Sequence, residues 1–174
     1  MNPEISNLPE GTLLLIRHGI AEDPRPGARD AERSLTEEGW KKTRAAMRGL
    51  VKSGWIPAAA FSSPYRRAAE TLSCLTEAVL KAGLKAFPAG SWEGCVPEGD
   101  PRSAEVWLLK KLAAAKPGTT LAVVSHQPFL GELIYQLTGE NLEIRKGSCT
   151  VVERKDGAWS LLEHYRPAEL RGKA

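Results

Sequence analysis

The sequence predicts a three-layer α/β/α sandwich with a mostly parallel central sheet. Short apolar runs at residues 13–16, 58–61 and 120–125 alternate with longer segments whose apolar residues recur at helical spacing. That alternation belongs to parallel strands joined by crossover helices. The run Leu13-Leu14-Leu15-Ile16 is aliphatic at every position, which suits a strand covered on both faces. At 174 residues the chain is long enough for one domain with a substantial core, expected to run from about residue 12 to 165.

The elements follow in order. Residues 1–11 carry Pro, Asn and Ser without periodicity and are expected to be loose. After the first strand, residues 20–34 are rich in Pro, Gly, Arg and Asp, so they are read as a long loop of the kind that is often functional. Thr36 then caps a helix with Glu37 and Glu38 in its first turn and Trp40, Thr43, Met47 and Leu50 at helical spacing. The second strand, residues 58–61, leads to Ser62-Ser63-Pro64, with Ser63 expected as a cap and Pro64 as the first residue of a helix through Ala68, Leu72, Leu75 and Val79.

Residues 84–87 are read as a third strand before a loop holding Pro88, Gly90, Gly94, Pro97 and Gly99. Asp100-Pro101 opens a helix expected to turn Val106, Leu109 and Leu112 inward. The fourth strand, residues 120–125, ends at Ser125-His126, and Pro128 opens a helix burying Leu130, Leu133, Ile134 and Leu137. Residues 149–153 and 159–164 around Asp156-Gly157 are read as a terminal hairpin. Residues 166–174 are polar and basic and expected to fray.

Composition narrows the function classes. A net charge of +3 is too small for a nucleic-acid track, and no binding motif for one is present. Arg44 and Arg48, one turn apart, read as a solvated helix face. Cys74, Cys95 and Cys149 make no C-x-x-C pair, and an odd count fits a reduced chain better than a disulfide framework. No run is long enough to span or target a membrane, so a cytoplasmic protein is expected. His18, His126 and His164 lack the spacing of zinc ligands, so neither a metal nor a cofactor is expected. Oligomeric state is not encoded legibly.

Three expected strand ends carry chemistry: Arg17-His18-Gly19, Ser63 with Arg67, and Ser125-His126. In a parallel sheet they share one edge, where ligands of open α/β sheets bind. A phosphoryl group carries about −1.5 to −2 charges near pH 7 and needs several fixed donors. Two arginines and two histidines supply them.

The segments Leu15-Ile16-Arg17-His18-Gly19, Leu35-Thr36-Glu37-Glu38-Gly39, Ser63-Pro64-Tyr65-Arg66-Arg67-Ala68-Ala69-Glu70-Thr71 and Ser125-His126-Gln127-Pro128 together resemble the histidine phosphatase superfamily. The short chain and the loop 97–101 resemble its SixA-type phosphohistidine phosphatases. The resemblance implies a phosphoglycerate mutase-like fold and a metal-independent hydrolase. It assigns His18 as the nucleophile, Arg17 and Arg67 as phosphate ligands, and His126 as a donor to the phosphoryl oxygens. Arg66 is an additional cation, and a backbone carbonyl is expected to fix the His18 tautomer.

Members acting on alkyl esters use a loop carboxylate as proton donor. Glu93, Glu98 and Asp100 lie in that loop here; Glu93 is the better candidate and Asp100 reads as a helix cap. His164 reads as structural. The implied substrate is phosphohistidine on a signalling or phosphotransfer protein. The alternatives are a phosphomonoesterase for small phosphorylated metabolites and a silent phosphate-binding module.

Overall fold

The computed structural model describes residues 9–174, so the expectation for residues 1–8 lies outside the described residues. The strands are β1 (Gly11–Arg17), β2 (Ala59–Ser62), β3 (Ala89–Ser91), β4 (Thr119–Ser125), β5 (Cys149–Lys155) and β6 (Ala158–Tyr165). They form one six-stranded sheet in the order β3-β2-β4-β1-β5-β6. The pairs β1/β4, β4/β2 and β2/β3 are parallel, and β5 and β6 add antiparallel to the β1 edge. The expected mostly parallel α/β/α sandwich is thus the observed architecture.

The layering follows from strand periodicity. Leu14 and Ile16 point into one core with Ala122 and Val124 of β4, while Leu13 and Leu15 point into the other with Leu121 and Val123. Helices α1 (Glu37–Lys52) and α2 (Arg66–Lys81) cover the first face through Met47, Leu50, Leu75 and Val79. Helices α3 (Pro101–Ala113) and α4 (Phe129–Thr138) cover the second through Leu108, Leu112, Phe129 and Leu133. Thr36 caps α1 by accepting from the Gly39 N–H, and Asp100 caps α3 by accepting from Arg102 and Ser103 N–H groups. The β5–β6 turn holds Asp156 at φ 51° and Gly157 at φ 77°, the left-handed pair a two-residue hairpin demands.

Four expectations are corrected. Residues 84–87 form no strand; β3 lies just beyond them, is exposed throughout, and owes its conformation to pairing with β2. In α3 the inward residues are Ala104, Leu108 and Leu112, while Val106 is 54% exposed and Leu109 only half-buried. Pro64 is not helical, because α2 starts at Arg66 with Tyr65 at the cap position. Its neighbour Ser63 instead accepts from the Tyr65 N–H to shape a turn at the strand end. Finally, the chain end does not fray from residue 166: α5 (Pro167–Gly172) buries Leu170 against α1. A Cβ on Gly49 would run into the Leu170 carbonyl, so the glycine is what lets the two helices meet.

Candidate active site

The register of the sheet brings the motif residues together. Arg17 lies opposite Ser125, and Ser62 opposite Val124, so His18, Ser63 and His126 each leave a neighbouring strand at the same edge. The backbone ties them further: His18 N–H donates to the Ser125 carbonyl and Ser63 N–H to the Val124 carbonyl. Of the four expected site residues, His18, His126 and Arg67 therefore meet directly, and Arg17 ends the strand beside them. The rings of His18 and His126 lie 5.0 Å apart, and the Arg67 guanidinium reaches His18 directly.

His18 is held in one tautomer. Its Nδ1 lies 2.7 Å from the Gly19 carbonyl oxygen, which can only accept, so Nδ1 carries the proton and Nε2 keeps its lone pair. The expected backbone carbonyl is Gly19's own. Arg67 Nε sits 3.4 Å from that Nε2. The turn is fixed from behind, since Gly19 N–H donates to Thr71 Oγ1 and Thr71 in turn donates to the Arg67 carbonyl. A Cβ on Gly19 would collide with Thr43 Oγ1; the glycine serves close packing, not a positive φ. Leu35 N–H donates to Glu70, which ties the start of α1 to α2.

His126 is held by Ser63, whose Oγ lies 2.8 Å from Nε2, and by the Tyr65 ring packed edge-on 5.0 Å away. Its Nδ1 is buried without a protein partner, as is Arg17 Nε; Arg17 Nη1 donates to the Ile144 carbonyl at 2.7 Å. Those two groups are hydrogen-bonding capacity that the surrounding protein leaves unspent. Tyr65 is a contributor that the sequence did not single out, and Ser63, expected at this edge as a helix cap, instead holds His126. Arg66 lies outside the pocket, exposed and paired with Glu70.

Burial sets the electrostatics. His18 is 5% exposed, His126 1% and Arg67 3%. Desolvation first, then the charges of Arg67, Arg17 and Lys146, push His18 down to about 3 against the favourable Gly19 bond. Desolvation, His18 and Arg67 likewise push His126 to about 3. Both imidazoles are therefore neutral near pH 7. Burial, followed by repulsion from Arg67, also works against the Arg17 charge.

This carries a stability consequence. Between about pH 6.5, where the unfolded imidazoles take up protons, and about pH 3, where the folded ones do, the unfolded state binds more protons. Stability is therefore lost as pH falls through that window. The melting temperature is expected to fall more steeply between about pH 7 and pH 4 in the wild type than in His18→Ala; equal slopes would contradict neutral burial of His18.

The loop after β1 contributes a residue that the sequence did not mark. Asp30, in a short 310 turn (Asp30–Glu32), accepts from Arg67 through its carbonyl at 2.8 Å and through its carboxylate at 3.2 Å. Beside it a cleft of about 220 Å³ is lined by loop residues from Glu22 to Arg33. Glu93 is exposed at the head of a 310 turn (Glu93–Cys95), and among the described residues no hydrogen bond joins it to either site histidine. Asp100 is committed to its cap. His164 spends both nitrogens structurally, on Thr150 Oγ1 and the Glu143 carbonyl. The three cysteines are free and buried. No helix among the described residues is long and apolar enough to cross a membrane.

Comparison with known proteins places this arrangement. An uncharacterized protein of Picosynechococcus sp. is 31% identical over 156 residues, covering 87% of this chain and 89% of its own length. The structure resembles that of the protein histidine phosphatase SixA complexed with tungstate, with TM-score 0.80, 23% identity, and 91% and 99% of the two chains covered. It also resembles phosphoglycerate mutase from Bacillus anthracis, with TM-score 0.75, 16% identity, and 97% and 98% covered; the fold is phosphoglycerate mutase-like. The model of the histidine phosphatase superfamily (branch 1) matches residues 13–109, which take in His18 and Arg67. The chain belongs to the histidine phosphatase superfamily.

Proposed function

We propose that this protein is a SixA-type phosphohistidine phosphatase acting on a phosphohistidine-bearing signalling or phosphotransfer protein in the cytoplasm. The observation that carries the reading is the His18 tautomer: Nδ1–H donates to the Gly19 carbonyl, which leaves the Nε2 lone pair beside Arg67. Nε2 attacks phosphorus, the substrate P–N bond breaks, and the bond's electron pair returns to the substrate imidazole. Water then attacks phospho-His18 and releases phosphate, restoring the lone pair. Arg17, Arg67 and His126 bind the phosphoryl oxygens and meet the charge that develops on them. No metal is needed for either step.

The leaving group decides the substrate class. An alkoxide needs a proton from an acid, whereas a ring protonated on its other nitrogen leaves as neutral imidazole. Glu93 is exposed at the head of its turn and Asp100 is spent on the α3 cap, which supports the phosphoramidate, whose ring needs no loop acid. The likeness to a phosphoglycerate mutase favours the second reading, a phosphomonoesterase for small metabolites with Glu93 as its acid.

A substrate panel separates the two. A phosphohistidine protein is expected to show kcat/KM at least about tenfold above that of sugar phosphates or p-nitrophenyl phosphate, with Glu93→Gln lowering no substrate more than about twofold. Esters turned over faster than phosphohistidine, and depressed selectively by Glu93→Gln, would establish the second reading. Tight phosphate binding without turnover of any substrate would mark a silent module.

A further inference from the structure

We propose that Asp30 is a specificity-determining residue, whose carboxylate holds the N–H of a protonated imidazole leaving ring and repels substrates that carry an anion beside the phosphoryl group. The inference rests on the phosphoryl-transfer reading of His18, and goes beyond it by naming what selects the leaving group.

The geometry begins at Arg67. A guanidinium has five N–H donors; here one points at His18 Nε2 and two at Asp30, through the backbone carbonyl and the carboxylate Oδ2. The remaining two are free to meet phosphoryl oxygens while Asp30 stays in place. Its other oxygen, Oδ1, accepts from Arg33 Nε at 2.7 Å, and Arg33 Nη1 donates to the Glu22 carbonyl. Ser34 Oγ donates to the Glu22 carboxylate, and an isolated bridge joins Ala21 to Leu35. The long loop is thus stapled so that one carboxylate stands against the buried guanidinium, on the side open to solvent: the Asp30 side chain is 53% exposed while that of Arg67 is 4%.

Asp30 is an anion, not a proton donor. Partial burial works against its charge, but the hydrogen bonds from Arg33 and then Arg67 outweigh that and hold the carboxyl below the usual carboxylate range. An anion at this spot discriminates by charge. A phosphorylated imidazole with a proton on its second nitrogen presents a cationic N–H, and breaking its P–N bond then returns the electron pair to a neutral ring. Holding that proton raises the fraction of substrate with a competent leaving group. A phosphoester bearing a carboxylate or second phosphate meets like charge instead, and like-charge juxtaposition is an effective way to reject a wrong ligand. Around the same mouth, Glu98 and Asp30 both work, after desolvation, to raise the Tyr65 hydroxyl above its ordinary value.

The test compares kcat/KM for phosphoimidazole with kcat/KM for 3-phosphoglycerate in the wild type and in Asp30→Asn, which keeps an acceptor oxygen for Arg67. The ratio is expected to fall by at least about tenfold in the variant, with phosphoimidazole slowed and 3-phosphoglycerate improved. Equal losses on both would overturn the inference, because a residue that only positions Arg67 penalises every phosphoryl substrate alike. The wild-type arm separates the two levels of claim. Turnover of phosphoimidazole with an unchanged ratio rejects the role of Asp30 alone; absence of wild-type turnover rejects the phosphatase reading and this inference with it.

Discussion

His18→Ala is expected to lower phosphatase kcat by at least about four orders of magnitude, because it removes the atom that forms the covalent bond. The ring is buried, but it fills a polar pocket and sits outside the two apolar clusters, so the variant should fold. Circular dichroism indistinguishable from wild type, with turnover lost, is the anticipated pair of results. Retention of more than about one per cent of wild-type kcat would mean that another group, or water directly, attacks phosphorus.

Arg67→Ala should lower kcat by about 10² to 10³, the usual cost of removing one preorganised donor from a developing oxyanion. Two features place this residue at the upper end. Its guanidinium reaches His18 and Asp30 at once, so truncation also removes one of the two arginines that hold the loop carboxylate. Its guanidinium is buried between the two neutral imidazoles and the Asp30 carboxylate, where water cannot take its place. Arg67→Lys should recover less than about a tenth of the lost activity, since a point charge cannot make the three divergent bonds. Steady-state kinetics on the phosphohistidine protein measures both variants, and a lysine variant close to wild type would show that charge alone suffices.

Much of this was legible in sequence because the signals were physical. The unbroken aliphatics of β1 announced burial on both faces, and the alternation of Leu13 and Leu15 against Leu14 and Ile16 between the two cores is what that reading requires. Thr36, Asp100 and the Asp156-Gly157 turn were readable because caps and left-handed turns use few residue types. The site residues at strand ends were readable because a parallel sheet makes neighbours of its carboxyl ends.

What escaped detection had no local signal. The strand β3 is Ala89-Gly90-Ser91, exposed and without a side-chain preference, formed by its partner strand. In α3 the small Ala104 takes a core position while bulky Val106 faces solvent, so a count of large apolar residues picks the wrong face. The α5 segment carries a single large apolar residue, Leu170, whose burial depends on the absence of a side chain at Gly49, far away in the chain. Asp30 is one acidic residue in a loop rich in charge; only the folded loop sets it against Arg67.

The central claim is that His18 Nε2 takes the phosphoryl group, and rapid-quench labelling tests it most directly. A phosphohistidine protein carrying labelled phosphate is mixed with enzyme, quenched within the first turnover, and the label is located by peptide mapping. Acid-labile, base-stable label on the peptide containing His18, absent in His18→Ala and discharged by water in the wild type, is the result expected. Rapid turnover with no label on His18 at any quench time would contradict the account.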